Sequence, residues 1–188
     1  MYKRQPKSSR FLKSLTDEEK NKLNPIIWFG GNQITGDQIF LKSNVKTEEL
    51  DSLIIRGNVF MSQKDSLYND RFNQIKGEKL DGFFSDGKLD NVYVVKNSTL
   101  LYYMYSDEAE LIGLNKTLAS SILIKFIENE ISEVSFYRTP DGNVLSENKI
   151  LKNEMKLPGF IWREKERPNK ISDLFSDSDK ELEIVEIE

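Results

Sequence analysis

The 188-residue chain contains no cysteine and no histidine. These absences exclude a Ser-His-Asp triad, a cysteine nucleophile, an imidazole general base and the ordinary structural zinc site. An Asp/Glu pair or an all-oxygen magnesium or calcium site stays open. Without cysteine there is no disulfide from which to read a compartment. No apolar run approaches the roughly 18 residues of a bilayer-spanning helix. The first ten residues, MYKRQPKSSR, lack the apolar stretch of a signal peptide. Met1–Gln5 resembles the translated end of a sequencing-library adapter, so the natural N-terminus is expected upstream. A net charge of −4 gives nucleic acid no overall attraction.

What is present falls into zones. Residues 1–24 carry seven Lys/Arg against Asp17, Glu18 and Glu19, a basic N-terminal arm of net +4. Thr16 with Glu19 is a capping-box pattern bracketed by Leu15 and Leu23, so one short helix is expected there, a solvated arm being the plain alternative. Residues 176–188 carry six acids against Lys180 and read as a disordered acidic tail, with Leu182, Ile184, Val185 and Ile187 the only material for a last strand. Residues 25–156 are the folded body, and 157–175 a cap segment in which Trp162 is expected to cover the last strands.

The body reads as all-β. Its apolar runs are short, rich in Val, Ile, Phe and Tyr, and punctuated by Gly30-Gly31, Asp86-Gly87, Glu128-Asn129 and Asp141-Gly142. Asp86-Gly87 is the strongest hairpin signal, because both central residues of a type I′ turn need positive φ. A repeat runs through the body. Leu50–Ile55 aligns with Leu89–Val94 and again with Ile131–Phe136, at spacings of 39 and 42 residues. Upstream, Gly36–Ile39 aligns with Gly77–Leu80. Each unit of about 40 residues then holds about four short strands, a period that points to a stacked, solenoid-like architecture.

With a period of two, one face of these strands collects Ile39, Leu41, Leu53, Ile55, Leu80, Phe84, Val92, Val94, Ile122, Ile124, Phe126, Val134 and Phe136. The other face is mixed: Ile54, Arg56, Asp81, Phe83, Tyr93, Leu123, Lys125, Ser135. A continuous apolar face must be covered by the other half of the fold, by a partner or by a ligand. An ordinary sandwich core is the plain reading of it. Carboxylates at strand ends and turns (Asp37, Asp81, Asp86, Asp90, Glu128, Glu133) are candidates for acid/base catalysis, yet turns favour Asp for backbone reasons. Lys64-Asp65 and Asp107-Glu108 lack calcium-loop spacing. Tyr102, Tyr103 and Tyr105 have no basic stripe beside them to bind nucleic acid.

Several stretches carry a resemblance: IIWFGGNQITGDQIFL (26–41), LDSLIIRGNVFMSQKD (50–65) and RFNQIKGEKLDGFFSDGKLDNVYV (71–94), then ELIGLNKTLASSILIKF (110–126), ISEVSFYRTPDG (131–142) and LPGFIWREKERPNKISDLF (157–175). In these the chain resembles the OstA-like family of Bacteroidetes-type bacteria, relatives of the LptA-type proteins of lipopolysaccharide transport. The resemblance implies a β-jellyroll folded like a taco, built of stacked short antiparallel strands around an apolar groove. It implies no enzyme and no cofactor. The implied work is that of a periplasmic lipid carrier or bridge to the outer membrane, its signal sequence lying outside this chain, with the thirteen residues above as the groove-facing, lipid-binding set. Lipopolysaccharide or lipid A is the implied cargo. The implied partners are other Lpt-type jellyroll proteins joined end to end by edge-strand pairing, or a head-to-tail homo-oligomer. Lys76, Lys79, Lys88, Lys116 and Lys125 are candidates for lipid A phosphates at the groove mouth. The alternative is a structural or adhesive β-module with a closed, dry core.

Overall fold

A computed structural model describes Thr16, Glu19 and residues 22–128 and 130–168. Near the start, the backbone N–H and hydroxyl of Thr16 donate to the Glu19 carboxylate, and the Glu19 N–H donates back to the Thr16 hydroxyl. This is the reciprocal capping box expected from the sequence. Residues 169–175 of the cap segment and the whole acidic tail lie outside the described residues.

Nine strands follow: β1 (Ile26–Phe29), β2 (Asn32–Thr35), β3 (Gln38–Ser43), β4 (Leu50–Lys64), β5 (Phe72–Ser85), β6 (Lys88–Tyr105), β7 (Leu111–Ile127), β8 (Glu130–Tyr137) and β9 (Asp141–Leu145). They make one antiparallel sheet in the order β1-β2-β4-β5-β6-β7-β8, with β3 also on β4 and β9 also on β7. The protein is all-β, a jellyroll made by folding this sheet over on itself. The branching has a simple cause. β4 to β7 are long enough to bend in the middle, and β2 with β3, like β8 with β9, are the two arms of one more bent strand.

The bends define two walls. A front wall contains β3, the first halves of β4 and β6, the second halves of β5 and β7, and β8. A back wall contains β1, β2, the remaining halves and β9. Strands running front to back turn on two consecutive left-handed residues: Gly57-Asn58, Lys96-Asn97 and Arg138-Thr139. Strands running back to front turn at Gly36, Gly77 and Ser120. The first three corners are spaced 39 and 42 residues apart, the spacings of the sequence repeat. Each repeat is therefore one strand out and one strand back, or four half-strands.

The corners are close-packed. Asp37 N–H donates to the Gly57 carbonyl at 2.9 Å, and the Asn58 amide donates to the Asp37 carboxylate. Lys96 holds φ of 68° without being glycine, which costs about 1 kcal/mol or more for an L side chain. Lys96→Gly is therefore expected to raise stability, by about 0.5–1 kcal/mol after the entropy that glycine adds to the unfolded chain. Urea denaturation checks it.

Short turns follow the sequence signals. Asp86 (φ 51°) and Gly87 (φ 72°) close the β5–β6 hairpin between paired Ser85 and Lys88. Gly30-Gly31 closes β1 onto β2. Asp141-Gly142, expected as a turn, instead opens β9. The chain turns earlier, at Arg138-Thr139, because Pro140 has no N–H to give to a strand.

Two apolar clusters result. The larger lies between the walls, where Leu53, Ile55, Leu80, Val92, Val94, Ile122 and Ile124 of the front meet Ile34, Val59, Met61, Ile75 and Leu100 of the back. The smaller lies outside the back wall, where Phe60, Leu101, Tyr103 and Leu114 are covered by Leu157 and its neighbours. That cover is a strap, Ser146–Pro168, crossing the strands. Two buried glutamines fasten it. Gln74 donates to the Met155 carbonyl and accepts from the Leu157 N–H; Gln33 donates to the Ile161 carbonyl and accepts from the Arg163 N–H. Each amide thus stands in for a strand partner, satisfying strap backbone that burial would otherwise leave unpaired.

Candidate functional site

The candidate site is the space between the walls. The register places the thirteen expected residues in rows. One runs straight across the front wall as Ile39–Ile55–Leu80–Val94–Ile122–Phe136, and the next as Leu41–Leu53–Gly82–Val92–Ile124–Val134. A third, nearer the wall tips, joins Phe84 with Leu89 and Phe126 with Ile131. Twelve of the thirteen belong to the inner cluster or pack against it. Leu41 is the exception. It ends its row on the edge strand β3, with no described strand beyond it, and is 48% exposed. The opposite face, from Ile54 to Ser135, looks outward, where Phe83 and Tyr93 meet edge to face.

The back wall supplies the residues that the sequence pattern missed. Ile34, Val59, Met61, Ile75, Leu100 and Ala119 face the front rows. Their strands alternate poorly because the strap buries the other face as well, so Phe60, Leu101 and Leu114 are as dry as the true inner row. Continuing the odd-numbered row of β4 from Ile55 through Gly57 to Val59 and Met61 would have found part of it.

The space is mostly filled by these side chains. A narrow cleft remains between Met61, Gln63, Asn73, Gln74, Ile75 and Leu100 of the back wall and Ile124 and Ile131 of the front, its interior space of about 10 Å³ close to the least that holds one water. That is below the ~300–1,000 Å³ usual for a small-molecule site. Backbone pairing runs within each wall and around the corners. Across the open side the described contacts are between side chains, such as the Gln63 amide donating to Glu130 at 3.3 Å.

The charged candidates lie elsewhere. Lys88, Lys116 and Lys125 pair with Glu128, Glu154 and Glu133, and Lys76 donates to the Pro158 carbonyl of the strap. Lys79 is exposed beside the corner. None of the five lines the cleft, whose polar lining is the amides of Gln63, Asn73 and Gln74. The carboxylates are dispersed too. Asp37 bonds Asn58, Asp81 pairs with Arg56 at 2.6 Å, Asp90 bonds Asn91, and Asp86 sits in its turn. Glu133 is held below the usual carboxylate range by its hydrogen bond from Lys125, with Ser135 adding to it. Among the described residues no three Asp or Glu gather as a metal site would require.

Trp162 was expected over the last strands. It packs instead on Trp28 of β1 at 5.1 Å and on Phe72 of β5 at 5.1 Å. The strap passes the last strands first and reaches the opposite end of the wall by Trp162. It covers the first strands, on the outside and away from the cleft.

A polar cluster ties the back-wall tips together. Arg71 stacks on Tyr68 at 3.8 Å and donates to the Tyr105 hydroxyl, which donates to Asp65. Burial pushes the Tyr105 hydroxyl above its ordinary value of 10, with its bond to Asp65 adding to the shift and Arg71 opposing it. The fold thus holds the proton more tightly than the unfolded chain does. This contribution is complete below pH 10 and is lost as pH rises from there through the higher folded value. In an ultraviolet titration Tyr105 is expected to ionise after the exposed tyrosines. Tyr105→Phe is expected to flatten the fall in stability above pH 10.

A scan against models of known families matches none of them to this chain, and a search of the curated proteins returns no match.

Proposed function

We propose that the chain is a non-enzymatic lipid carrier whose cargo inserts acyl chains between the two walls. The observation that carries this reading is the cleft itself. It lies between Ile124 and Ile131 of the front wall and Met61, Ile75 and Leu100 of the back, and is bordered by side chains that can part without breaking a sheet hydrogen bond. Each methylene buried there contributes about 0.8 kcal/mol, so an acyl chain that wedges the walls apart gains steadily as it enters. The resemblance to OstA-like proteins supplies the class: lipopolysaccharide or lipid A, carried through the periplasm, with other jellyroll domains joined end to end. The outer edges of β3 and β8, on which no described strand pairs, suit that pairing.

A second reading rests on burial. Leu53, Ile55, Leu80, Val92, Val94 and Ile122 are wholly shielded by the protein's own side chains, as in a closed module that binds other proteins by its edges. Photocrosslinking separates the two. Probes at Ile131 and Phe136, which are half-buried inward positions, are expected to capture lipopolysaccharide, while probes at the outward Tyr93 and Ser135 stay silent. Silence at all four, with the protein folded and exported, selects the closed module.

A further inference from the structure

Two features of the first strand belong together. On its inner side, β1 leans across the gap between the walls. Ile27 and Phe29 pack against the inner cluster, and the Phe29 ring meets Phe84 of the front wall at 4.8 Å. β1 is also the terminal strand of the back wall. It therefore stoppers the apolar interior at that end. At the other end β8 and β9 finish the two walls, and no described strand crosses between them.

On its outer side, β1 is held by the far half of the strap. Trp162 stands edge-on to Trp28, Arg163 donates to the Asn24 carbonyl at 2.8 Å, and Arg167 donates to the Gly30 carbonyl at 2.9 Å. Gln33 of the adjoining β2 grips the strap backbone on either side of Trp162. By contrast, among the described strands β1 pairs with β2 alone, over four residues. The strap thus adds a second set of fastenings to that short pairing. The fastening is also incompletely satisfied. The Trp28 indole N–H and the Asn24 side-chain amide nitrogen are buried with no hydrogen-bond partner among the described residues, and both regain water if the strap lifts.

We infer that the strap is a latch: its Ile161–Arg167 half holds the β1 stopper in place, so that release of this half opens that end of the interior. In the carrier reading, on which the purpose of the latch rests, the opened end admits or discharges an acyl chain. The near half of the strap, fastened by Gln74 over Leu101 and Leu114, stays seated and keeps the back wall folded.

The absence of cysteine makes the test clean, because one introduced thiol is the only thiol. Ile27→Cys reports on the stopper and Val92→Cys on the middle of the interior, each read as the rate of maleimide labelling of the full chain. Gln33→Leu, which removes both clasps beside Trp162, is expected to speed labelling at position 27 by about tenfold and leave position 92 protected, as a local opening does. Gln74→Leu, acting on the near half, is expected to change position 27 by less than about twofold. Equal acceleration at positions 27 and 92 would mean global unfolding and would overturn the latch, as would no response to Gln33→Leu. Uptake of a fluorescent fatty acid by the same variants tests the carrier reading separately. Faster labelling without faster uptake leaves the latch standing and removes the lipid.

Discussion

Ile55→Asp is expected to remove most of the stability of the fold, while Ile54→Asp leaves it standing. The two positions are adjacent, equally apolar and on the same strand. Ile55 is fully buried, with Ile39 and Leu80 beside it on the neighbouring strands. A carboxylate there faces only aliphatic carbon and no cation. An unpaired buried charge of this kind belongs to the small class of substitutions costing about 4 kcal/mol or more, against total stabilities of about 5–15 kcal/mol for ordinary domains. Ile54 is half-buried on the outer face, between Phe40 and Asp81. There the new carboxylate stays in water, and its main penalty is the like charge opposite, up to about 1 kcal/mol. Urea denaturation of the two variants reads the difference. Equal losses would mean that the inward and outward faces of β4 are misassigned. Loss of lipid capture by Ile55→Asp alone would not identify a lipid contact, since the fold fails first.

The contrast between these two residues also explains what the sequence discloses. On the front wall one face meets water and the other meets the core, so alternation is clean and the inner rows can be read residue by residue. The repeat is legible for a related reason. Every second corner needs two left-handed residues at the same height, and Gly57-Asn58, Lys96-Asn97 and Arg138-Thr139 recur with the strands that carry them. The back wall is illegible because it is buried on both faces. Tyr103 and Leu114 look outward yet lie under the strap, while Gln63 and Asn73 look inward and line the cleft. Gln33 and Gln74 read as surface residues. They are buried because each serves the backbone of a segment some 80 to 130 residues away, a partnership with no local pattern. Lys88, Lys116 and Lys125 are taken up by acidic partners for a similar reason: those partners are set by the three-dimensional fold, not by spacing.

Gly36→Ala is the second substitution expected to act strongly, and it tests the corner that sets the distance between the walls. A Cβ at Gly36 would stand 2.2 Å from Cγ2 of Ile55 and 3.1 Å from the Gly57 carbonyl oxygen. Ile55 cannot give way easily, being β-branched and wholly enclosed. Gly57 is tied to the same turn by the Asp37 N–H. Relief must come from moving backbone, so the cost is expected near the upper end of the ~1–3 kcal/mol typical of overpacking. Two other glycines isolate the cause. Gly31 has nothing within 4 Å of its Cβ position and no left-handed φ, so Gly31→Ala is expected to be neutral or to stabilise by about 0.5 kcal/mol. Gly87 is equally open but sits at φ 72°, so Gly87→Ala is expected to cost about 1 kcal/mol through backbone conformation alone. An order of Gly36 above Gly87 above Gly31 in urea denaturation means that close packing holds the corner. If Gly36→Ala costs no more than Gly31→Ala, the corner has slack, and the walls can hinge there to admit an acyl chain without the latch.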